Sequence, residues 1–177
     1  MSEALPTREQ AIGLLRESGC SDKVINHCIA VAKLAVETAE ALRKKGFDVN
    51  VLLVEIGGLL HDLGRSKTHS VNHAVVGVEI AKSAGLPELV ISIIKRHVGG
   101  GITHTEAKQF GWPTDDNYIP TSLEEKLVSY ADKLIAKGKR VSIDRTLKEL
   151  SREGKVEAAM RVLRLHEEIK ALLGDQQ

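Results

Sequence analysis

Six residues of this 177-residue chain carry side chains suited to meeting around a metal ion: His27, His61, Asp62, His73, His97 and Asp132. They supply imidazole nitrogen and carboxylate oxygen without thiolate. That donor set suits Fe, Mn, Co, Ni or Zn better than Ca or Mg alone. Taken singly, each has a plainer reading. A lone histidine on an apolar helix face is more often a satisfied core residue, and a lone aspartate is usually a cap or half of an ion pair. The coincidence changes the weighing, because the six fall on the inward sides of five separate helical segments. Helical proteins commonly build metal sites from side chains projecting inward from facing helices.

The densest part is Leu59-Leu60-His61-Asp62-Leu63-Gly64-Arg65. Apolar residues at 52, 56, 59, 60 and 63 predict a helix over 51–63, with Asn50 as N-cap and Gly64 as the C′ residue. His61 and Asp62 then fall in the last turn, one turn after Gly57 and Gly58. Two local rules are broken there. Glycines inside a helix cost about 1 kcal/mol each relative to alanine, so a pair suggests close approach or room for a ligand. A carboxylate in the last turn opposes the helix dipole unless a cation is bound beside it. Such violations are expected at functional sites.

The other candidates follow helical spacing. His27 comes three residues after Val24 and four before Val31, and His73 shares a face with Val76, Gly77 and Ile80. His97 follows Ile93 by four and Ile94 by three, while Asp132 follows Val128 by four and precedes Ile135 by three. A buried carboxylate is costly without a hydrogen-bonded partner or a metal.

Helical segments account for nearly the whole chain. Thr7 with Gln10 opens a short helix that ends at Gly19. Ser21 or Asp22 caps a long one reaching about Lys45. Segment 71–84 closes at Gly85, and Pro87 sits at the start of 88–98. Gly99-Gly100-Gly101 breaks the pattern, a short helix over 105–110 ends at Gly111, and 112–120 reads as an irregular loop. Ser122 with Glu125 is a capping box opening a helix to about Lys137, and segments 144–153 and 155–173 finish the chain. No segment alternates as a strand would. The expectation is an all-α, compact single-domain bundle of about eight or nine helices over residues 1–177, with a motif-bearing core at 21–139 and C-terminal helices at 142–173.

Composition narrows the partners. Net charge is +1, so a broad nucleic-acid-binding surface is not expected. The basic knots Arg43-Lys44-Lys45 and Lys137 to Arg140 read as solvated helix ends. With 3% aromatic residues the core must be aliphatic. Cys20 and Cys28 have no metal-motif spacing and cannot make a disulfide framework. No signal peptide opens the chain, and no apolar run reaches the ~18 residues of a membrane span, so a cytoplasmic protein without membrane contact is expected.

His27, then His61-Asp62, then Asp132 within Tyr130-Ala131-Asp132-Lys133, resembles the H…HD…D signature of the HD superfamily of metal-dependent phosphohydrolases. The resemblance covers about residues 21–139. His73 and His97 look like the two additional histidines of the dinuclear branch. It implies that His27, His61 and Asp132 hold one metal, that Asp62 bridges, and that His73 and His97 hold a second. The cofactor would be one or two divalent or transition metal ions, Fe or Mn before Co, Ni or Zn. Asp62 and Arg65 would be catalytic, with Arg65 and Lys133 binding substrate phosphate.

The reaction implied is hydrolysis of a nucleotide or another phosphate ester by metal-activated water. The small stand-alone hydrolases that cleave diadenosine tetraphosphate are similar in texture. This chain departs from them, with Ala74 after His73 and Val98-Gly99 after His97. An HD-type diiron oxygenase and a non-catalytic signalling or assembly module are the alternative readings, and a homodimer is compatible with either. Gly99 to Gly101 would offer backbone N–H groups to a phosphate, or simply permit a turn. Trp112 and Tyr118 would stack on a base or pack as a lid. His69 and His104 lie in polar contexts, and His166 reads as structural.

Overall fold

Side-chain caps set most of the element boundaries. In the computed structural model, which describes residues 4–174, Thr7 and Gln10 cap each other at the start of α1 (Arg8–Ser18), and Ser21 caps α2 (Asp22–Lys44). Asn50 caps α3 (Val51–Leu60). Next come α4 (His73–Ser83), α5 (Glu88–Arg96) and α6 (His104–Phe110), the last opened by a Thr103–Glu106 capping box. Ser122 and Glu125 box the start of α7 (Leu123–Lys133), and Ser142 caps α8 (Ile143–Arg152) ahead of α9 (Val156–Leu173). Each such cap is worth about 1 kcal/mol. The fold is all-α, with nine α-helices among the described residues.

α3 is the central element. It carries Leu53, Val54, Ile56, Leu59 and Leu60 buried on several sides, as a helix enclosed by others must. α1, α2, α5 and α7 pack around it. Burial of each large aliphatic side chain contributes about 1.5–3 kcal/mol, so the helix that ends at His61 is among the most firmly held parts of the molecule. A smaller cluster of Ala74, Ile102, Ala107, Trp112 and Tyr118 lies beside the main core. No described helix is long and apolar enough to cross a membrane.

The glycines of α3 make room for helices rather than for a ligand. A Cβ on Gly58 would stand 2.8 Å from the Cα of Ala32 on α2, and one on Gly57 would overlap the Ile93 side chain on α5. Gly64 likewise is not a left-handed helix terminator. It lies in a 3₁₀ turn, Leu63–Ser66, where a Cβ would overlap the carbonyl oxygen of His73.

Several boundaries shift from the sequence reading. α3 stops at Leu60, so His61 is its C-cap and Asp62, at φ −99 and ψ 18, has left the helix. α4 begins only at His73, and α5 ends at Arg96 with His97 as its C-cap. α7 ends at Lys133 rather than near Lys137. Beyond it a small antiparallel hairpin pairs Ile135–Ala136 with Lys139–Arg140, where no strand was expected. Lys137 and Gly138 both take positive φ, 51° and 72°, the geometry of a two-residue hairpin turn.

Candidate metal centre

Five helix ends or faces converge on one point. α2 supplies His27, the exit of α3 supplies His61 and Asp62, α4 begins with His73, α5 is capped by His97, and α7 supplies Asp132. All six expected residues are therefore brought together. The Nε2 of His27 lies 2.9 Å from Asp132 Oδ1, and that of His61 3.4 Å from the same oxygen. The two oxygens of Asp62 face opposite sides. Oδ1 is 3.1 Å from His73 Nε2 and 3.4 Å from His97 Nε2, while Oδ2 is 3.6 Å from His61 and 3.8 Å from His27.

Three of the imidazoles are held the same way. The Nδ1 atoms of His61, His73 and His97 each lie 2.7 Å from the carbonyl oxygen three residues earlier, of Gly58, Ser70 and Ile94. A carbonyl only accepts, so each Nδ1 must donate, and in the neutral ring Nε2 is left with a lone pair aimed inward. Carbonyl partners of this kind fix tautomer and ring orientation at metal sites. The tautomers are thus set by the local chain, because each carbonyl belongs to the helix turn or loop that precedes its histidine.

The inward side has donors without hydrogens to share. His61 Nε2 is buried and has no hydrogen-bond partner. His73 Nε2 and His97 Nε2 stand 3.0 Å apart, lone pair toward lone pair when both rings are neutral. For ligand bonds of about 2.0–2.1 Å, neighbouring ligand atoms stand roughly 2.8–3.4 Å apart. The 2.9, 3.0, 3.1 and 3.4 Å separations at this centre have that spacing. The residues therefore fit a metal ion, and three overlapping triplets of them have ligand atoms close enough to share one.

The electrostatics agree. Burial opposes the charge on Asp62, but His61 and the imidazoles of His73 and His97 outweigh it and hold the carboxyl well below its usual range. Asp132 is partly buried, which opposes its charge, but Lys133, with His27 and His61, holds it low. Burial disfavours the protonated ring of His61, yet the adjacent Asp62 raises its pKa well above the ordinary value. His97 goes the other way: burial, with His61 and His73 nearby, pushes it down to about 4. In metal-free protein the surroundings thus favour the charged form of both carboxylates and the neutral ring of His97, while Asp62 favours a proton on His61 that a metal would replace.

Around this centre the expected phosphate ligands take defined positions. Arg65 Nη1 donates to the His69 carbonyl oxygen at 2.7 Å, and its Nε is 3.4 Å from Asp62 Oδ2. Lys133 Nζ is 2.9 Å from Asp132 Oδ2, and that carboxylate raises the lysine pKa against the effect of burial. Both side chains line an 860 Å³ cleft that opens onto His73, His97 and Asp132.

Other sequence candidates fare differently. Trp112 and Tyr118 are buried against each other, with Trp112 Nε1 donating to Asn72, so they are packing residues and not a stacking platform. Phe110, 40% exposed, lines the cleft instead and was not singled out from the sequence. The signal available was an aromatic residue in the last turn of a short polar helix, just before Gly111. The Gly99 to Gly101 segment packs against α9, and its Gly101 N–H is taken by the Val98 carbonyl. His69 lines the cleft, His104 is exposed at the start of α6, and His166 is paired with the Tyr130 hydroxyl at 2.7 Å.

Residues 24–137 match the HD domain family model. The chain belongs to the HD-domain family. Among curated relatives of this HD chain, an uncharacterized protein of Methanocaldococcus jannaschii is 46% identical over 167 residues, covering 93% of this chain and 98% of the relative. A protein of Thermoplasma volcanium named tRNA (cytidine(56)-2'-O)-methyltransferase is 38% identical over 170 residues, or 96% of this chain, which spans only 48% of that relative. Among solved structures, the HD domain of the Listeria (L. monocytogenes) phosphodiesterase PgpH, in complex with cyclic-di-AMP, superposes with a TM-score of 0.55 at 18% identity. That match covers 95% of this chain and 98% of the other. It is a likeness of fold.

Proposed function

We propose that this HD protein is a metal-dependent phosphohydrolase acting on a nucleotide or another phosphate ester. The observation that carries the reading is the set of inward Nε2 lone pairs, fixed by Nδ1–carbonyl hydrogen bonds, around two carboxylates whose charges are kept by their surroundings. Family membership and the fold shared with a phosphodiesterase domain that binds a cyclic dinucleotide support it.

In this reading His27, His61 and Asp132 would hold one metal and His73 and His97 a second, with Asp62 able to contribute to both. Bound there, divalent ions supply Lewis acidity and lower the pKa of a coordinated water. The chain's own residues do the rest. Lys133 neutralises charge beside Asp132 and presents an ammonium to the cleft. Arg65, at the mouth, anchors Asp62 and has further N–H donors to offer a phosphate oxygen.

The test is direct. Purified protein should carry roughly stoichiometric transition metal, and Asp62→Ala should lose both metal and phosphatase activity while keeping its helical circular dichroism. Unchanged hydrolysis in a folded Asp62→Ala variant would refute the assignment. Hydrolysis that proceeds equally without oxygen separates this reading from O₂ chemistry on the same ligands.

A further inference from the structure

The candidate ligands stand on two supports. His27, His61 and Asp132 are carried by segments whose Val24, Cys28, Leu59, Leu60, Val128 and Ala131 are part of the main core. His73 opens α4, and there the smaller cluster begins. Ala74, directly after His73, belongs to that cluster, while Val71 and Val75 pack against it. The largest side chain in it is Trp112, buried with its ring 5.0 Å from that of Tyr118. Phe110, 5.4 Å from the same indole, extends the packing to the wall of the 860 Å³ cleft.

The indole does more than fill space. Its Nε1 donates to Asn72 Oδ1 at 2.8 Å. Asn72 is the N-cap residue of α4, and an asparagine there ordinarily accepts from the first turn of its own helix. Asn72 makes no such bond, because its amide oxygen is turned to Trp112 instead. The Asn72 backbone N–H donates to Ser70 Oγ at 3.2 Å, and the Ser70 carbonyl oxygen accepts from His73 Nδ1 at 2.7 Å. The residue immediately before His73 is thus fastened to the indole through its side chain and, through its backbone, to the serine that orients the His73 ring. His97 has a tie of its own, the Ser129 hydroxyl donating to its carbonyl oxygen at 2.9 Å. Contact of the His73 carbonyl with Gly64 fixes the backbone there, and the turn over 70–72 fixes the ring.

We propose that Trp112 is a positioning residue for the metal centre. Through Asn72 it holds His73 in place, so the ion that His73 binds depends on the Trp112 N–H, while the ion bound by His27, His61 and Asp132 does not. This rests on the metal-centre part of the reading above and not on which reaction the metal serves. Hydrogen-bond partners one step removed from a metal are worth about 10–100-fold in affinity, because they decide where the ligand lone pair points. The indole N–H is buried and needs an acceptor, so indole and amide hold each other, and the turn that carries His73 is held with them.

The experiment is a calorimetric titration of Mn²⁺ into the full chain after stripping with EDTA, for the parent, Trp112→Phe, Asn72→Ala and the double variant. Trp112→Phe keeps an aromatic ring and removes the N–H donor; Asn72→Ala removes the acceptor. The parent should take up two ions. Each single variant should weaken one ion about tenfold or more and leave the other within about twofold. Because both residues act through one bond, the double variant should lose little beyond either single one. Asn72 is exposed, so Asn72→Ala decides the matter if Trp112→Phe does not fold. A tryptophan that only packs would lower the urea midpoint in EDTA without changing either affinity, and that result overturns the proposal. Equal losses at both ions, or losses that add in the double variant, also overturn it. If the parent binds a single ion, the two-metal reading fails, and the proposal stands or falls on whether both single variants weaken that ion about tenfold. If the ions behave as expected and no phosphate ester is hydrolysed, the phosphohydrolase reading fails while the positioning role stands. Uptake of no ion at all removes both.

Discussion

Removing the His97 imidazole should flatten the acid limb of the metal-free protein's stability curve. His97 is 2% exposed, and its pKa falls from the usual 6.5 to about 4. A histidine with a depressed folded-state value is protonated more readily in the unfolded chain. Between pH 6.5 and 4 the unfolded state therefore binds the extra proton, and stability declines as pH falls. Each pH unit crossed costs about 1.4 kcal/mol, giving roughly 3 kcal/mol over the whole window. His61, whose value is raised, acts elsewhere: its contribution is complete below its unfolded value near 6.5 and is lost as pH rises above it.

The two effects do not share a pH range, so metal-free protein should be most stable near pH 6.5. The assay is urea denaturation in EDTA at half-unit steps from pH 4.5 to 7.5, for the parent and for His97→Gln. The comparison uses slopes, since the substitution also changes packing by an amount that does not depend on pH. Between pH 4.5 and 6.5 the variant's stability should change less steeply than the parent's, by about 1.4 kcal/mol per pH unit. Parallel curves through that window would show that His97 is not held neutral by its surroundings, and the electrostatic account of the centre would be wrong.

Two further outcomes are expected. Metal affinity should rise with pH across neutrality, because the metal ion must displace the proton that Asp62 favours on His61; this is read by competition with a chelator of known affinity, and a flat profile counts against it. Gly58→Ala should lower stability by roughly 1–3 kcal/mol, despite the better helix propensity of alanine, because its Cβ meets the backbone of α2 at 2.8 Å; an unchanged urea midpoint would show that the two helices can part at no cost.

Much of the centre was legible before any coordinates. His27, His73, His97 and Asp132 stood at apolar helical spacing and His61-Asp62 at the end of an apolar run, and polar groups at such positions are expensive unless they share a partner. The capping pairs Thr7–Gln10 and Ser122–Glu125, together with the capping residues Ser21 and Asn50, placed the starts of four helices, because those signals are local hydrogen bonds written within a few residues. The all-α architecture followed from the same periodicity.

What stayed open or failed were inferences that depended on a neighbour distant in sequence. Gly57 and Gly58 suggested close approach or room for a ligand, and the structure decides for close approach, by Ile93 and Ala32, residues that no local pattern announces. Gly64 looked like a helix terminator and is instead the point where the chain after Asp62 touches the His73 carbonyl. Trp112 and Tyr118 were open to stacking on a base or to packing, and their contact with each other decides for packing, leaving Phe110 as the exposed ring. The sequence determined which side chains could bind a metal, since donor type and helical phase are properties of short segments. Only the tertiary structure decided how they meet. The opposed faces of Asp62 and the meeting of the inward Nε2 atoms arise from where five helices cross, and that is fixed by packing between residues up to 105 positions apart.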